Sequence, residues 1–263
     1  MPAHDNAHGF FDTSPPLAIA HRGFSLDGLE NSMSAFEAAI KLGVQYLETD
    51  ARATKDGVVL AFHDATLDRV TDRSGKIAEM LYKDVAAARI RGVEPIPLLE
   101  DVLGAWPHAK VNVDVKDAAT IVPLARTIDR SGAHHRICLA SFSDRRRLGV
   151  LRRLSKPVAS SPGTQTMTSF RAAASVLGAA RAARTRLRKV DCLQVPVKFG
   201  RVTMVSEELV SGVHAAGKQV HVWTINSEPL MHHLLDMGVD GIITDRADVL
   251  RDVLTARDAW RAT

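Results

Sequence analysis

LAIAHRGFSLDGLENSMSAFEAAIKLGVQYLETD, residues 17–50, contains one strand–helix–strand unit, and that unit repeats along the chain. Leu17–Ala20 is a short apolar run, Ser32–Leu42 carries apolar residues at helical spacing, and Gln45–Asp50 is extended again. Gly43 follows the helical run, where a helix C-terminus favours a residue that tolerates left-handed backbone. Further strands are predicted at Val111–Val115, Arg136–Ser141, Pro157–Ser160, Asp191–Val195, Gln219–Thr224 and Gly241–Thr244. Helical patterns separate them at Leu98–Trp106, Ile121–Ser131, Asp144–Leu154, Met167–Arg188, Ser206–Ala216, Glu228–Met237 and Ala247–Trp260, with Gly132, Gly217 and Gly238 as stops. Eight strands alternating with eight helices predict an α/β chain whose parallel sheet closes into a (β/α)8 TIM barrel. A doubly wound open sheet is the alternative, but no glycine-rich phosphate loop follows the first strand.

One unit departs from the rhythm. The second strand leads into another extended run, Gly57–His63, and then into the polar stretch Asp64–Pro97, with a short helical piece near Leu81–Ile90. This predicts a small insertion after strand two, about residues 64–96, on the barrel face where βα loops carry chemistry. Residues 1–16 are polar and are expected to be a disordered tail before a single catalytic domain, residues 17–263.

Of the 263 residues, 46% are apolar but only 5% aromatic, so the core must rest on Ala, Val, Leu and Ile. No apolar run approaches the ~18 residues of a membrane span, and the N-terminus has no basic n-region or apolar h-region. The expectation is a soluble, cytoplasmic chain without integral membrane association. Cys138 and Cys192 lack metal-ligand spacing and read as reduced, strand-buried thiols. The net charge of +4 comes with a basic cluster, Arg171, Arg181, Arg184, Arg186, Arg188 and Lys189. It reads as a solvated helix face; a nucleic-acid or anionic-lipid surface is the sharper alternative, with few aromatics nearby to stack on bases.

The candidate chemistry sits at predicted strand ends. Glu48 and Asp50 are two apart on one strand and so share a face, as do Asp114 and Lys116 on the next. Three carboxylates converging on a barrel mouth would repel one another unless a cation lies between them. Oxygen ligands favour a hard ion, Mg²⁺ or Ca²⁺. His21-Arg22-Gly23 follows the first strand, and Arg22 can grip a phosphate with its planar fork while Gly23 permits a tight turn. His63 ends the extended run, and two mouth histidines suggest a general acid and a general base. Three carboxylates against a divalent ion, Arg22 and Lys116 leave one positive charge, matching one phosphodiester anion. Trp223, at the end of strand seven, reads either as barrel core or as an apolar wall for the substrate. His134-His135, His232-His233, His4 and His8 lack carboxylate company in the sequence and read as surface residues.

Together these strings resemble the glycerophosphodiester phosphodiesterase family. The matching pieces are His-Arg-Gly at 21–23, Glu-Asn-Ser at 30–32, Glu-Thr-Asp at 48–50, Thr-Lys-Asp-Gly at 54–57, His-Asp at 63–64 and Leu-Asp-Arg-Val-Thr at 67–71. Pro-Leu-Leu-Glu at 97–100, Trp-Thr-Ile-Asn at 223–226 and Gly-Val-Asp-Gly-Ile-Ile-Thr-Asp at 238–245 continue it. The resemblance implies hydrolysis of a small-molecule glycerophosphodiester to glycerol 3-phosphate and an alcohol. It implies one divalent cation, Mg²⁺ or Ca²⁺ with Mn²⁺ as a further option, on Glu48, Asp50 and Asp114. It makes His21 and His63 the acid–base pair and puts Arg22 and Lys116 on the phosphate; which histidine is the acid stays open, with His63 the one we favour. Glu30 is implied either close to the metal or behind its ligands. One position departs: the family's third ligand is usually glutamate in a Glu-x-Lys motif, and Asp114 is shorter by roughly one C–C bond, about 1.5 Å. A lysophospholipase D or sphingomyelinase-D-like enzyme shares the fold and the histidine pair and is the second reading, although such chains resemble secreted, disulfide-bearing proteins. A non-catalytic headgroup-binding module is the third, and the intact His21/His63 pair speaks against it.

Overall fold

The computed structural model describes residues 9–261. Its wall is built from β1 (Leu17–His21), β2 (Tyr46–Ala53), β3 (Lys110–Val115), β4 (Ile137–Ala140), β5 (Ala159–Ser160), β6 (Cys192–Pro196), β7 (Gln219–Trp223) and β8 (Gly241–Thr244). The hydrogen-bonded order is β5-β4-β3-β2-β1-β8-β7-β6, every pair parallel. The two ends of this sheet meet, because Asp191 N donates to Ser160 O at 2.8 Å and the Asp191 carboxylate accepts from Ser160 N at 2.8 Å. The expected α/β barrel is the fold, nearly closed, and the open sheet is excluded by that contact.

β3 shows how the sequence sorts itself. Val111, Val113 and Val115 point outwards into a cluster with Leu124 and Ile128 of the helix Ile121–Ser131. Period two then turns Lys110, Asn112 and Asp114 inwards, from the floor of the barrel to its mouth. Lys110 Nζ reaches Gly9 O at 3.0 Å and pairs with Asp12 at the floor. There Phe10, Leu17, Ile19, Tyr46, Cys138, Ala159, Cys192 and Ile243 fill the lumen, and Tyr46 OH donates to Phe10 O at 2.9 Å. Phe10 is only 1% exposed, so the disordered tail expected for residues 1–16 does not extend over its second half. A burial-seeking aromatic plugs the open end of the barrel, whatever the polarity of its neighbours. His4 and His8 lie outside the described residues. Cys138 and Cys192 are buried and free.

The helices follow their caps. Ser32, Ser143 and Ser206 accept from the backbone N of Ala35, Arg146 and Leu209, satisfying first-turn donors of Met33–Lys41, Asp144–Leu151 and Glu207–His214. The single helix expected over Met167–Arg188 is two, Thr164–Leu177 and Ala179–Arg186. Gly178 breaks it at φ 77°, ψ 154°, a backbone state closed to most side chains. Arg181, Arg184, Arg186, Arg188 and Lys189 are exposed around this second helix, while Ala182, Ala183 and Leu187 face the core. His134, expected on the surface, is 6% exposed and its Nε2 lies 2.8 Å from Asp129 Oδ1. The pairing partner was hidden from a reading of adjacent residues.

Two excursions leave the barrel mouth. After β2, the strand Val59–Ala61 pairs antiparallel with Ala51–Ala53. The stretch 64–96 then folds around its own apolar cluster, which includes Leu67, Val70, Ile77, Val85 and Ile90. After β6, a small hairpin pairs Lys198–Phe199 with Val202–Thr203, a feature the apolar pattern did not predict. No helix among the described residues is long and apolar enough to cross a membrane.

Candidate active site

β1, β2 and β3 are neighbours, and their register sets His21 beside Glu48 and Asp50 beside Asp114. All four side chains line one cavity of about 440 Å³ at the C-terminal mouth, with Arg22, His63, Lys116 and Trp223. Arg22 and Asn31 hold φ values of 55° and 58°. Left-handed backbone at such residues costs roughly 1–2 kcal/mol each, and the turns they make are tied together, since Asn31 N donates to Arg22 O at 2.9 Å. At Gly23, with φ 83°, a Cβ would lie 2.6 Å from the backbone of Ala35, so only glycine lets the helix start pack against this turn.

The carboxylates are compensated unequally. Asp50 receives Lys116 Nζ on Oδ1 at 2.8 Å, and on Oδ2 it meets Asn31 Nδ2 at 3.0 Å and Arg22 Nε at 3.1 Å. Burial alone would raise its pKa, but Lys116 and Arg22 outweigh burial and hold it low. Asp114 Oδ2 takes Lys116 Nζ at 2.7 Å, while its Oδ1 is buried without a hydrogen-bond partner. Glu48 is 6% exposed, accepts from Arg22 N at 3.1 Å, and is pushed up to about 7 by burial and by the charge of Asp50. Arg22 and Lys116, expected on a phosphate, here lie on the carboxylates. Accordingly, among the described residues no group of three or more His, Cys, Asp or Glu side chains stands in metal-binding geometry. The donor set nevertheless fits a hard divalent ion. An orphaned Asp114 oxygen and a Glu48 held reluctantly charged are groups that gain from one.

Both histidines have one ring nitrogen committed. His21 Nδ1 lies 2.6 Å from Asp245 Oδ1, and Asp245 Oδ2 accepts from Asn226 Nδ2 at 2.8 Å. His63 Nδ1 lies 2.6 Å from Asp64 Oδ1. Asp64 also accepts from Arg69 Nε at 2.5 Å, which with His63 holds it at about 2 against the effect of burial. Burial works against charging His21, but Glu48 and Asp245 outweigh it and its pKa is raised. His63 is lowered, by burial first and then by Lys116 and Arg22, against the pull of Asp50 and Asp64.

Glu30, expected beside the metal ligands or behind them, bridges two arginines: it meets Arg22 Nη1 at 2.9 Å and Arg69 Nη2 at 2.7 Å. Trp223 lines the cavity with Phe142, their rings edge to face at 5.8 Å and 77°. Five residues escaped the sequence reading as site components: Asn31, Asp64, Arg69, Asn226 and Asp245. For Asp245 a signal existed, since it follows the last barrel strand as His21 closes the first. Arg69 carried none, because only the fold of the insertion returns it to Glu30.

Residues 21–249 match the model of the glycerophosphoryl diester phosphodiesterase family. The chain is 47% identical to the probable glycerophosphodiester phosphodiesterase 2 of Mycobacterium tuberculosis, over 93% of this chain and 92% of that one. It is 25% identical to a human lysophospholipase D, over 90% of this chain and 85% of the other. Among solved structures it is similar to an Oleispira antarctica phosphodiesterase in complex with the product sn-glycerol-3-phosphate, with a TM-score of 0.73, 22% identity, and coverage of 92% and 97% of the two chains.

Proposed function

Since this chain belongs to the glycerophosphoryl diester phosphodiesterase family, we propose that it hydrolyses glycerophosphodiesters to glycerol 3-phosphate and an alcohol, with His21 and His63 moving the protons. One observation carries the reading. Each histidine has Nδ1 on a carboxylate at 2.6 Å, so Nε2 is the working nitrogen of both, and both rings line the cavity that holds Glu48, Asp50 and Asp114. Paired imidazoles fixed this way suit proton removal on one side of a phosphorus and proton donation on the other.

Glu48, Asp50 and Asp114 would hold one divalent cation, Mg²⁺, Ca²⁺ or Mn²⁺. When bound, such an ion would supply Lewis acidity to the phosphodiester. Arg22 and Lys116 line the same cavity and would hold the phosphate. Glu30 holds the Arg22 fork in place through its own bond to Arg69. A lone carboxylate orients and charges an imidazole more strongly than one shared with a guanidinium. Asp245 is backed by a neutral amide and Asp64 by Arg69, so His21 is the better proton holder. We therefore assign His21 as acid and His63 as base, the reverse of the assignment the sequence favoured.

The test is release of glycerol 3-phosphate from glycerophosphocholine by the purified chain, with Mg²⁺, Ca²⁺, Mn²⁺ or chelator. No release with any of the three ions would remove the proposal.

A further inference from the structure

The mouth of the barrel is divided. Its charged residues come from β1–β3 and the segments that follow them: His21, Arg22, Glu48, Asp50, His63, Asp114 and Lys116. The half contributed by β4–β7, though Ser141, Ser161, Thr164, Thr168, Gln194 and Thr224 also line it, carries the large apolar side chains. Phe142 follows β4, Met167 follows β5, Phe199, Val202 and Met204 follow β6, and Trp223 closes β7. Arg171 is the one charged residue lining that half among the described residues, and its guanidinium is turned to Thr203 O at 3.2 Å.

Three of these apolar side chains are left bare. Phe142 is 54% exposed, Phe199 64% and Val202 50%, and the last two stand on either side of Gly200-Arg201 at the tip of the hairpin. Apolar side chains gathered at a cavity rim gain free energy when an apolar partner covers them. The wall is continuous with the catalytic cluster, so its occupant is part of whatever the cluster binds.

A glycerol moiety carries hydroxyls, which need the polar half. The other substituent on phosphorus is then left to the apolar half. We infer that the preferred substrates are glycerophosphodiesters whose leaving alcohol carries an aliphatic chain, seated between Phe142 and Trp223 on one side and the Phe199–Val202 hairpin on the other. This rests on the phosphodiesterase reading and narrows it to a substrate class. Net addition of water forms a new bond from oxygen to phosphorus as the bond between phosphorus and the leaving oxygen breaks, and the leaving oxygen takes up a proton, so the products are glycerol 3-phosphate and the chain-bearing alcohol.

The experiment uses the full chain with its activating cation and two series of monomeric diesters. In one, glycerol phosphate is esterified to n-alkanols of two to eight carbons; in the other, glycerophosphocholine carries acyl groups of the same lengths on its glycerol. In the alkanol series kcat/KM should rise by up to about fourfold per methylene until the wall is covered. The double variant Phe199→Ser/Val202→Ser should flatten that rise, lowering kcat/KM for the octyl ester far more than for the ethyl ester. Both side chains are exposed, and Phe142→Ala supplies an independent variant with the same expected flattening.

A flat alkanol series, or a rise confined to the acyl series, would overturn the inference. So would a chain-length slope that the variants leave untouched. Turnover of unmodified glycerophosphocholine separates these failures from failure of the phosphodiesterase reading, which would abolish that reaction as well.

Discussion

Asp245 Oδ1 lies 2.6 Å from His21 Nδ1, although the two residues are 224 positions apart in the chain. β1 and β8 pair in parallel, with Ala20 opposite Thr244, so the next residue of each emerges at the same height of the mouth. Asp245→Asn should keep the fold and lower kcat by roughly 10²-fold, with KM little changed, because the imidazole loses its orienting charge. A pH–rate profile distinguishes this from a structural effect: the acidic-group limb should move to lower pH. An unmoved profile with full activity would leave Asp245 without a part in catalysis.

The roles of the two histidines separate by leaving group. His21→Ala and His63→Ala should each lower kcat on glycerophosphocholine by roughly 10²–10⁴. A nitrophenyl diester of glycerol phosphate needs little protonation to depart, so it should largely restore His21→Ala and not His63→Ala. Restoration of His63→Ala alone would reinstate the sequence-based assignment. Equal restoration of both would end the split of roles.

Chelation should abolish turnover and a divalent cation should restore it. Asp114→Asn should weaken cation affinity strongly, since it removes a ligand charge, and Asp114→Glu should shift the preference among Mg²⁺, Ca²⁺ and Mn²⁺. Isothermal titration of the ions into each variant reads this directly. Affinities equal to wild type in both variants would show that Asp114 is not a ligand.

The contribution of Glu48 to the stability of the cation-free protein should fall with rising pH over one window. Burial and Asp50 hold the folded Glu48 carboxyl at about 7, above its ordinary value of 4.5. The folded state then binds more protons than the unfolded between those values, so this destabilisation is absent below the lower one and fully developed above the upper one. The thermal midpoint of the wild type minus that of Glu48→Gln should therefore decline from about pH 4.5 to about pH 7. A saturating divalent cation should abolish the decline, and a difference that stays level without cation would contradict it.

Phe10→Ala should cost about 3–5 kcal/mol, the usual scale for emptying a buried aromatic site. Activity per folded molecule should hold, because the ring plugs the floor of the barrel while the cavity opens at its mouth. Denaturant unfolding together with kcat checks both halves; a loss below about 1 kcal/mol would mean the floor closes without it.

Much of this molecule is local in its chemistry and could be read from the chain alone. The strands are apolar runs bounded by turn residues, and eight of them in alternation with helices leave a barrel as the economical way to bury both faces of a parallel sheet. Glu48, Asp50, Asp114 and the two histidines were visible because period two fixes which residues of a strand share a face and barrels present their strand ends at one mouth. What the chain alone left open depends on groups brought together by closure. His21 meets Asp245 because β1 and β8 pair, and Arg69 meets Glu30 because the insertion folds back over the mouth. Phe10 is core because the barrel has an open floor. The apolar half of the cavity exists because the two ends of the sheet, β5 and β6, meet through Asp191 and Ser160. Local sequence fixes backbone preference and side-chain direction over a few residues. Pairing across hundreds of residues is set by burial and hydrogen bonding summed over the whole sheet, and only the closed barrel decides it.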